Sequence, residues 1–314
     1  MLNPHSTRLL PRLQGADKYK ITGIASKCDW VILTDYGLPH THFHKNKTEG
    51  APKTIFLSLR YHERALQYFT ETILPQIDSA FTLISGSSDA TVPFQVDKRW
   101  VPLNAQNRRR VKMILDHPHL HHWVAENADN VSHPLMSPLP LGLVYSDAPQ
   151  IRETIPVPKA PNLAQRPLNI LCGHRVREGQ QWDARKAITD TAKAYWASFT
   201  TILDEDIPEE AFLNLIDAHS FVLCAEGGGL DPSPKAWQAL LRGAIPIIRR
   251  NSLYDAYKHL PVVFVDEWSA DALTLDNLEL WKNELLPNFD DPAQRANVLE
   301  RLSLKYWWDY IPKP

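Results

Sequence analysis

Residues Phe221–Ile248 read FVLCAEGGGLDPSPKAWQALLRGAIPII, and they decide the fold. Ser220–Ala225 (SFVLCA) is a short apolar run with the length of a buried strand. An acid, Glu226, three glycines, Gly227–Gly229, and a polar turn follow. A helix is then expected over Lys235–Arg242, with Trp237, Leu240 and Leu241 on one face and Gly243 placed to end it. Ile245–Ile248 returns as a strand. Strand, glycine turn, helix and strand make a parallel βαβ unit. The glycines let a ligand approach the backbone, and the helix N-terminus offers unpaired N–H groups and partial positive charge. Lys235 stands in that first turn, at the end of the helix dipole that disfavours a cation. An anionic ligand would explain it; a solvated lysine beside a glycine-rich connection is the plain alternative.

The pattern extends in both directions. Leu168–Cys172 (LNILC) is expected as a strand, followed by a polar loop and a helix from about Asp183 to Trp196. Asp206-Ile207-Pro208-Glu209-Glu210 looks like a helix start with Asp206 as cap and acids at the positive end of the dipole. Val262–Val265 is a further strand, and Asp291-Pro292 opens a last helix running towards Lys305-Tyr306-Trp307-Trp308. Alternating strands and helices imply a doubly wound sheet, whose ligands bind beyond the carboxyl ends of the strands. The loops after Cys172 and Ala225 are therefore the ones to watch. The first half has apolar runs at Trp30–Thr34, Thr54–Leu57, Phe81–Ser85 and Leu139–Leu143, with a helical pattern from about His62 to Leu74. Between the halves, Ser146–Pro167 is rich in proline and poor in apolar periodicity. The expected organisation is an N-terminal Rossmann-like domain over 1–150, a linker over 151–167, a second Rossmann-like domain over 168–295, and a C-terminal helix over 296–314. The fold class is α/β, with two doubly wound domains facing a cleft.

Composition sets limits on partners. The 314 residues carry 34 Lys and Arg against 36 Asp and Glu, a formal charge of −2, which argues against bulk nucleic acid or an anionic membrane as main partner. Asn107-Arg108-Arg109-Arg110 is then read as a solvated helix face. Three widely spaced cysteines, Cys28, Cys172 and Cys224, form neither a disulfide framework nor a zinc motif. No stretch has the length of a membrane span or the form of a signal peptide, so a reducing, cytoplasmic setting is expected.

The Phe221–Ile248 stretch resembles the nucleotide-sugar-binding segment of GT-B glycosyltransferases, in particular the exostosin family and the α-1,3-fucosyltransferases. The matching residues are Gly227-Gly228-Gly229, Lys235-Ala236-Trp237-Gln238-Ala239-Leu240 and Gly243-Ala244-Ile245-Pro246-Ile247. Leu260-Pro261-Val262-Val263 with Asp266-Glu267-Trp268 resembles the exostosin pattern downstream, as does Trp123–Gly142 before the linker. Lys235 stands where exostosins favour Arg, and Gln238 where many have Glu. The resemblance implies transfer of a sugar from a nucleotide-diphosphate donor to a hydroxyl of a glycan or glycoconjugate. Such transfer is expected to be inverting, with no metal or other cofactor, in an enzyme of polysaccharide biosynthesis compatible with peripheral membrane association.

On that reading the donor segment comprises Glu226, Gly227, Gly228, Gly229, Asp231, Ser233, Lys235 and Gln238. Lys235 is the first candidate for the diphosphate, and Arg175 and Arg177, in the loop after Cys172, are further cations. Glu226 is a candidate for a ribose or sugar hydroxyl. An inverting transferase needs a base, and Asp89, after the strand FTLIS in Ser85-Gly86-Ser87-Ser88-Asp89, is the candidate; the same run also suits a plain turn. His42 and His44 are placed on the acceptor side. Two other functions stay open. His40, His42 and His44 alternate on an extended segment and would suit a metal-dependent hydrolase; Gln238 would suit a GT-B protein that binds without turnover. Asp116–His122 has no ligand spacing and is assigned to a helix or loop surface.

Overall fold

The computed structural model describes residues 1–9, 20–36, 38, 40–96, 101–144, 152–176, 179 and 182–314. The chain forms two units. One comprises Asn3–Thr154, Gly229–Asp231 and Leu304–Pro314; the other comprises Met1–Leu2, Ile155–Gly228 and Pro232–Ser303. Each is built on a largely or wholly parallel sheet with helical crossovers, so the α/β class with two parallel-sheet units holds.

In the N-terminal unit the strands are β1 (Trp30–Leu33), β2 (His42–Lys45), β3 (Thr54–Ser58), β4 (Phe81–Gly86), β5 (Leu120–Ala125) and β6 (Met136–Pro138), in the order β2-β1-β3-β4-β5-β6. Edge strand β2 runs antiparallel to β1, with Ile32 opposite Phe43; the other pairings are parallel. β1, β3 and β4 are buried along their whole length, as continuous apolar strands of a parallel sheet must be. The crossovers carry α1 (His62–Tyr68), extended by π and 3-10 turns to Gln76, and α2 (Ala105–Leu115), capped by Asn104. Arg110 of α2 is buried against Glu71 (2.6 Å) and Asn107 (2.8 Å), so that member of the arginine run serves packing.

Two expectations fail here. The strand expected at Leu139–Leu143 lies three residues earlier, at Met136–Pro138. Leu139–Leu143 instead borders the chain's first residues: Thr7 N–H donates to the Leu141 carbonyl (3.0 Å) and Leu143 N–H to the His5 carbonyl (2.8 Å). Gly142 sits at φ +81°, and a Cβ there would lie 2.3 Å from the His5 carbonyl oxygen. The histidine-rich segment Asp116–His122 is a surface turn only as far as His119; from Leu120 it is strand, because Leu120–Ala125 is β5, with Trp123 fully buried. The strand's two histidines mask a run whose apolar residues fill the sheet.

The C-terminal unit holds β7 (Ile170–Cys172), β8 (Thr200–Ile202), β9 (Phe221–Leu223), β10 (Ile245–Arg249) and β11 (Val263–Val265), in the order β11-β10-β9-β7-β8, all parallel. Its helices are α3 (Asp183–Thr191), α4 (Glu209–Ala218), α5 (Pro234–Leu241), α6 (Tyr254–Tyr257), α7 (Leu275–Asp290) and α8 (Pro292–Arg301). Asp206 does not cap α4; Pro208 holds that place and makes no side-chain bond. The expected last helix breaks after Arg301. Asp291 caps α8 through the N–H groups of Ala293 and Gln294, whereas α9 (Leu304–Tyr310) belongs to the N-terminal unit. There Leu304 N–H bonds the Asn3 carbonyl (2.8 Å), and Thr82 Oγ1 on β4 bonds the Pro312 carbonyl (2.6 Å). Among the described residues no helix is long and apolar enough to cross a membrane.

Candidate functional site

In chain order the five strands of the C-terminal sheet lie 2-1-3-4-5, so the direction of winding reverses between β7 and β9. Adjacent crossovers then diverge to opposite faces and leave a crevice at the carboxyl ends of those two strands. The loops that border it are Gly173–Arg175 after β7 and Cys224–Gly228 after β9, the two that the sequence singles out. The chain then enters α5 through Pro234, with its fixed φ suited to a first helical position. Ser233 before it is buried at φ +78°, a backbone region that side chains other than glycine rarely adopt.

Lys235, the second residue of α5, is half-buried. Among the described residues its ammonium has neither a hydrogen bond nor an ion pair. Burial, then the nearby cations Arg185 and Arg175, lower its pKa to about 8. Burial, its cationic neighbours and the helix N-terminus thus all disfavour the free charge of this lysine. Arg185, on the first turn of α3, is buried and fixed from several sides. Its Nε donates to the Glu226 carbonyl (2.9 Å), Nη1 donates to the Arg175 carbonyl (3.4 Å), and the guanidinium lies over the Trp182 ring at 5.0 Å. A Cβ at Gly227 would stand 3.0 Å from Arg185 Nη2, so glycine there leaves room for the guanidinium. His174 anchors α3 in turn: Nε2 donates to the Arg185 carbonyl (3.0 Å) and lies 2.9 Å from Thr189 Oγ1. Burial pushes that imidazole down to about 4, which keeps it neutral.

The other expected donor residues fall in several places. Glu226 Oε1 accepts from Arg249 Nε (2.8 Å) and Asn251 Nδ2 (3.5 Å), while Oε2 has no partner among the described residues. Gln238 is half-buried one turn beyond Lys235, its side-chain amide unbonded to any described residue. The exposed guanidinium of Arg175 pairs with Asp206 (2.9 Å). Arg177 lies outside the described residues. Gly229 and Asp231 belong to the N-terminal unit, where Asp231 Oδ2 accepts the Leu141 N–H (2.9 Å).

In that unit Asp89 follows β4 and pairs with Arg8 (2.9 Å). Arg8 also reaches Glu126 (3.1 Å), a carboxyl that burial holds above its usual pKa against the pull of Arg8. His42 and His44 share one face of β2, two residues apart. Among the described residues no three His, Cys, Asp or Glu side chains group to hold a metal ion.

Sequence reading missed Arg185, Arg249, Arg8, Glu126 and Asn127. Only Arg185 carried a signal: it is a cation in the first turn of a helix entered from a switch-point strand, the criterion that picks out Lys235.

No protein-family model and no curated protein matches the chain. Among solved structures it is similar to a spinosyn rhamnosyltransferase, SpnG, complexed with thymidine diphosphate, at 13% identity over 83% of this chain and 70% of that one, with TM-score 0.36. It is similar also to the glycotransferase of kitacinnamycin (12% identity, 82% and 75% covered, TM-score 0.35). A third is LpCGTa in complex with UDP (8% identity, 82% and 73% covered, TM-score 0.36).

Proposed function

We propose that the chain is a glycosyltransferase of the GT-B kind, related to the exostosin-like enzymes. It transfers a sugar from a nucleotide-diphosphate donor to a hydroxyl of a glycan or glycoconjugate. The observation that supports this reading is Lys235: a half-buried ammonium without an acid partner among the described residues, at the N-terminus of α5, beside buried Arg185 at the sheet's switch point. Diphosphate is the ligand whose charge suits two cations and a helix N-terminus together.

In the reaction the acceptor oxygen bonds to the anomeric carbon as the bond from that carbon to the diphosphate oxygen breaks. Charge develops on the leaving oxygen, where Lys235 and Arg185 stabilise it without requiring a metal ion. Attack from the opposite face inverts the centre, and the acceptor's proton passes to Asp89. Glu226 Oε2 accepts a ribose or sugar hydroxyl, with Arg249 fixing the carboxylate. Asp231, Ser233 and Gln238 shape the same donor segment, and His42 and His44 serve the acceptor. The enzyme works in the cytoplasm, beside a membrane when its acceptor is lipid-linked.

The test is thermal stability with UDP, GDP, CMP, ADP and dTDP, each with and without EDTA. One nucleotide should stabilise the protein in EDTA, by ~2.7 kcal/mol at about 100 times its dissociation constant. Release of the same nucleotide from its sugar donor should then follow. No stabilisation by any of the five would overturn the reading.

A further inference from the structure

The turn that carries Asp89 is held almost entirely by residues distant in sequence. Ser87, at φ +60°, donates its N–H to Glu126 Oε2 (2.7 Å), an oxygen that also accepts from Thr7 Oγ1 (2.5 Å). Arg8 links Glu126 to Asp89. The next residue along, Asn127, is buried and uses both ends of its amide: Nδ2 donates to the Ser88 carbonyl (2.7 Å), and Oδ1 accepts the N–H groups of Leu230 (2.8 Å) and Asp231 (3.2 Å). A Cβ at Gly229 would lie 2.5 Å from that same Oδ1. The tip of the glycine loop and the Asp89 turn therefore meet on one side chain.

We infer that Asn127 is a positioning residue that couples donor binding to the placement of Asp89. The inference rests on the donor reading proposed above. Gly229–Asp231 lies in the chain between Gly227, which borders Arg185, and Lys235, so a diphosphate held by those cations fixes both ends of the loop. The ordered loop presents two N–H groups to Oδ1 and sets the amide plane. That plane aims Nδ2 at the Ser88 carbonyl, one residue before Asp89. The amide of Asn127 accepts at one end and donates at the other; a carboxylate of the same shape keeps the first function and loses the second.

The test is amide hydrogen exchange on the full chain, without nucleotide and with saturating UDP, GDP, ADP or dTDP, for wild type, Asn127→Asp and Gly229→Ala. In the wild type one diphosphate should slow exchange in the peptides covering Gly227–Lys235 and Ser87–Ala90 alike. In Asn127→Asp the first protection should remain and the second should vanish. Its turnover should fall by about 10- to 100-fold with donor KM little changed, as expected for a misplaced reacting group. Gly229→Ala, which drives a methyl group against Oδ1, should uncouple the two peptides even if the Asn127 variant does not fold. Persisting protection at Ser87–Ala90 in a folded variant would overturn the inference. So would wild-type protection confined to Gly227–Lys235, which leaves the donor reading intact. No protection anywhere with any diphosphate would overturn both.

Discussion

Replacing Lys235 by methionine should make the nucleotide-free protein more stable and the nucleotide-bound protein weaker. The ammonium's pKa falls from 10.5 to about 8 in the folded chain, burial being the larger cause and Arg185 the next. For a fully buried group that displacement is worth about 3 kcal/mol, and water at a half-buried one reduces it to ~1–2 kcal/mol. The sign follows from linkage. Between pH 8 and 10.5 the unfolded chain binds the proton that the folded chain has released, so stability rises with pH across that window and the cost is present in full below it. Methionine matches the stem of lysine without the charge. Its melting temperature at pH 7 should exceed that of wild type by about 2–8 °C, at ~2–4 °C per kcal/mol for a unit of this size. The gap should close as pH rises towards 10. In the same variant the affinity for the stabilising diphosphate should drop about 10- to 150-fold, the loss of ~1.5–3 kcal/mol for a charge-assisted contact. Differential scanning fluorimetry over pH, with and without nucleotide, reads both effects. A variant that melts below wild type, or keeps its nucleotide shift, refutes the view of Lys235 as an anion's cation.

Three further outcomes are expected. Asp89→Asn should remove sugar transfer while leaving diphosphate affinity within about twofold, because its carboxylate is the proposed base and does not serve the phosphates; full activity would move the base elsewhere. Arg166 is buried with bonds to the carbonyls of Pro161 (2.9 and 3.1 Å), Ile216 (3.2 Å), His219 (3.1 Å) and Arg242. Arg166→Met strands those carbonyls and should cost about 3 kcal/mol, read as a lower urea midpoint at unchanged slope. Burial lowers His5 and His174 from 6.5 to about 4, one in each unit. The unfolded chain takes up those protons first, so stability should fall as pH drops from about 6.5 to about 4, and His174→Gln should flatten that slope for the C-terminal unit. Urea melts at stepped pH would show it.

Much of the C-terminal sheet was legible because its strands are short apolar runs bounded by polar or glycine turns, and the Pro-Lys start and Gly243 stop of α5 are local signals. β8, Thr-Thr-Ile, was not legible, because an edge strand three residues long carries no periodicity. Leu139–Leu143 misled for the opposite reason: its apolar pattern suits a strand, but its backbone groups bond His5 and Thr7, more than a hundred residues away.

For the candidate site, sequence alone determined the glycine turn, the cation at a helix N-terminus and the acid before it, since each is fixed by neighbours within one βαβ unit. Only the tertiary structure decided which side chains face them. The order of strands puts the β7 and β9 loops together at a switch point, and that brings Arg185 from a helix forty residues earlier to the Glu226 carbonyl. It also gives Glu226 to Arg249, Asp89 to Arg8, and the tip of the glycine loop to Asn127. Local chain geometry determines a helix start or a turn; which charge lies opposite a charge is set by sheet order and burial, and those are properties of the whole fold.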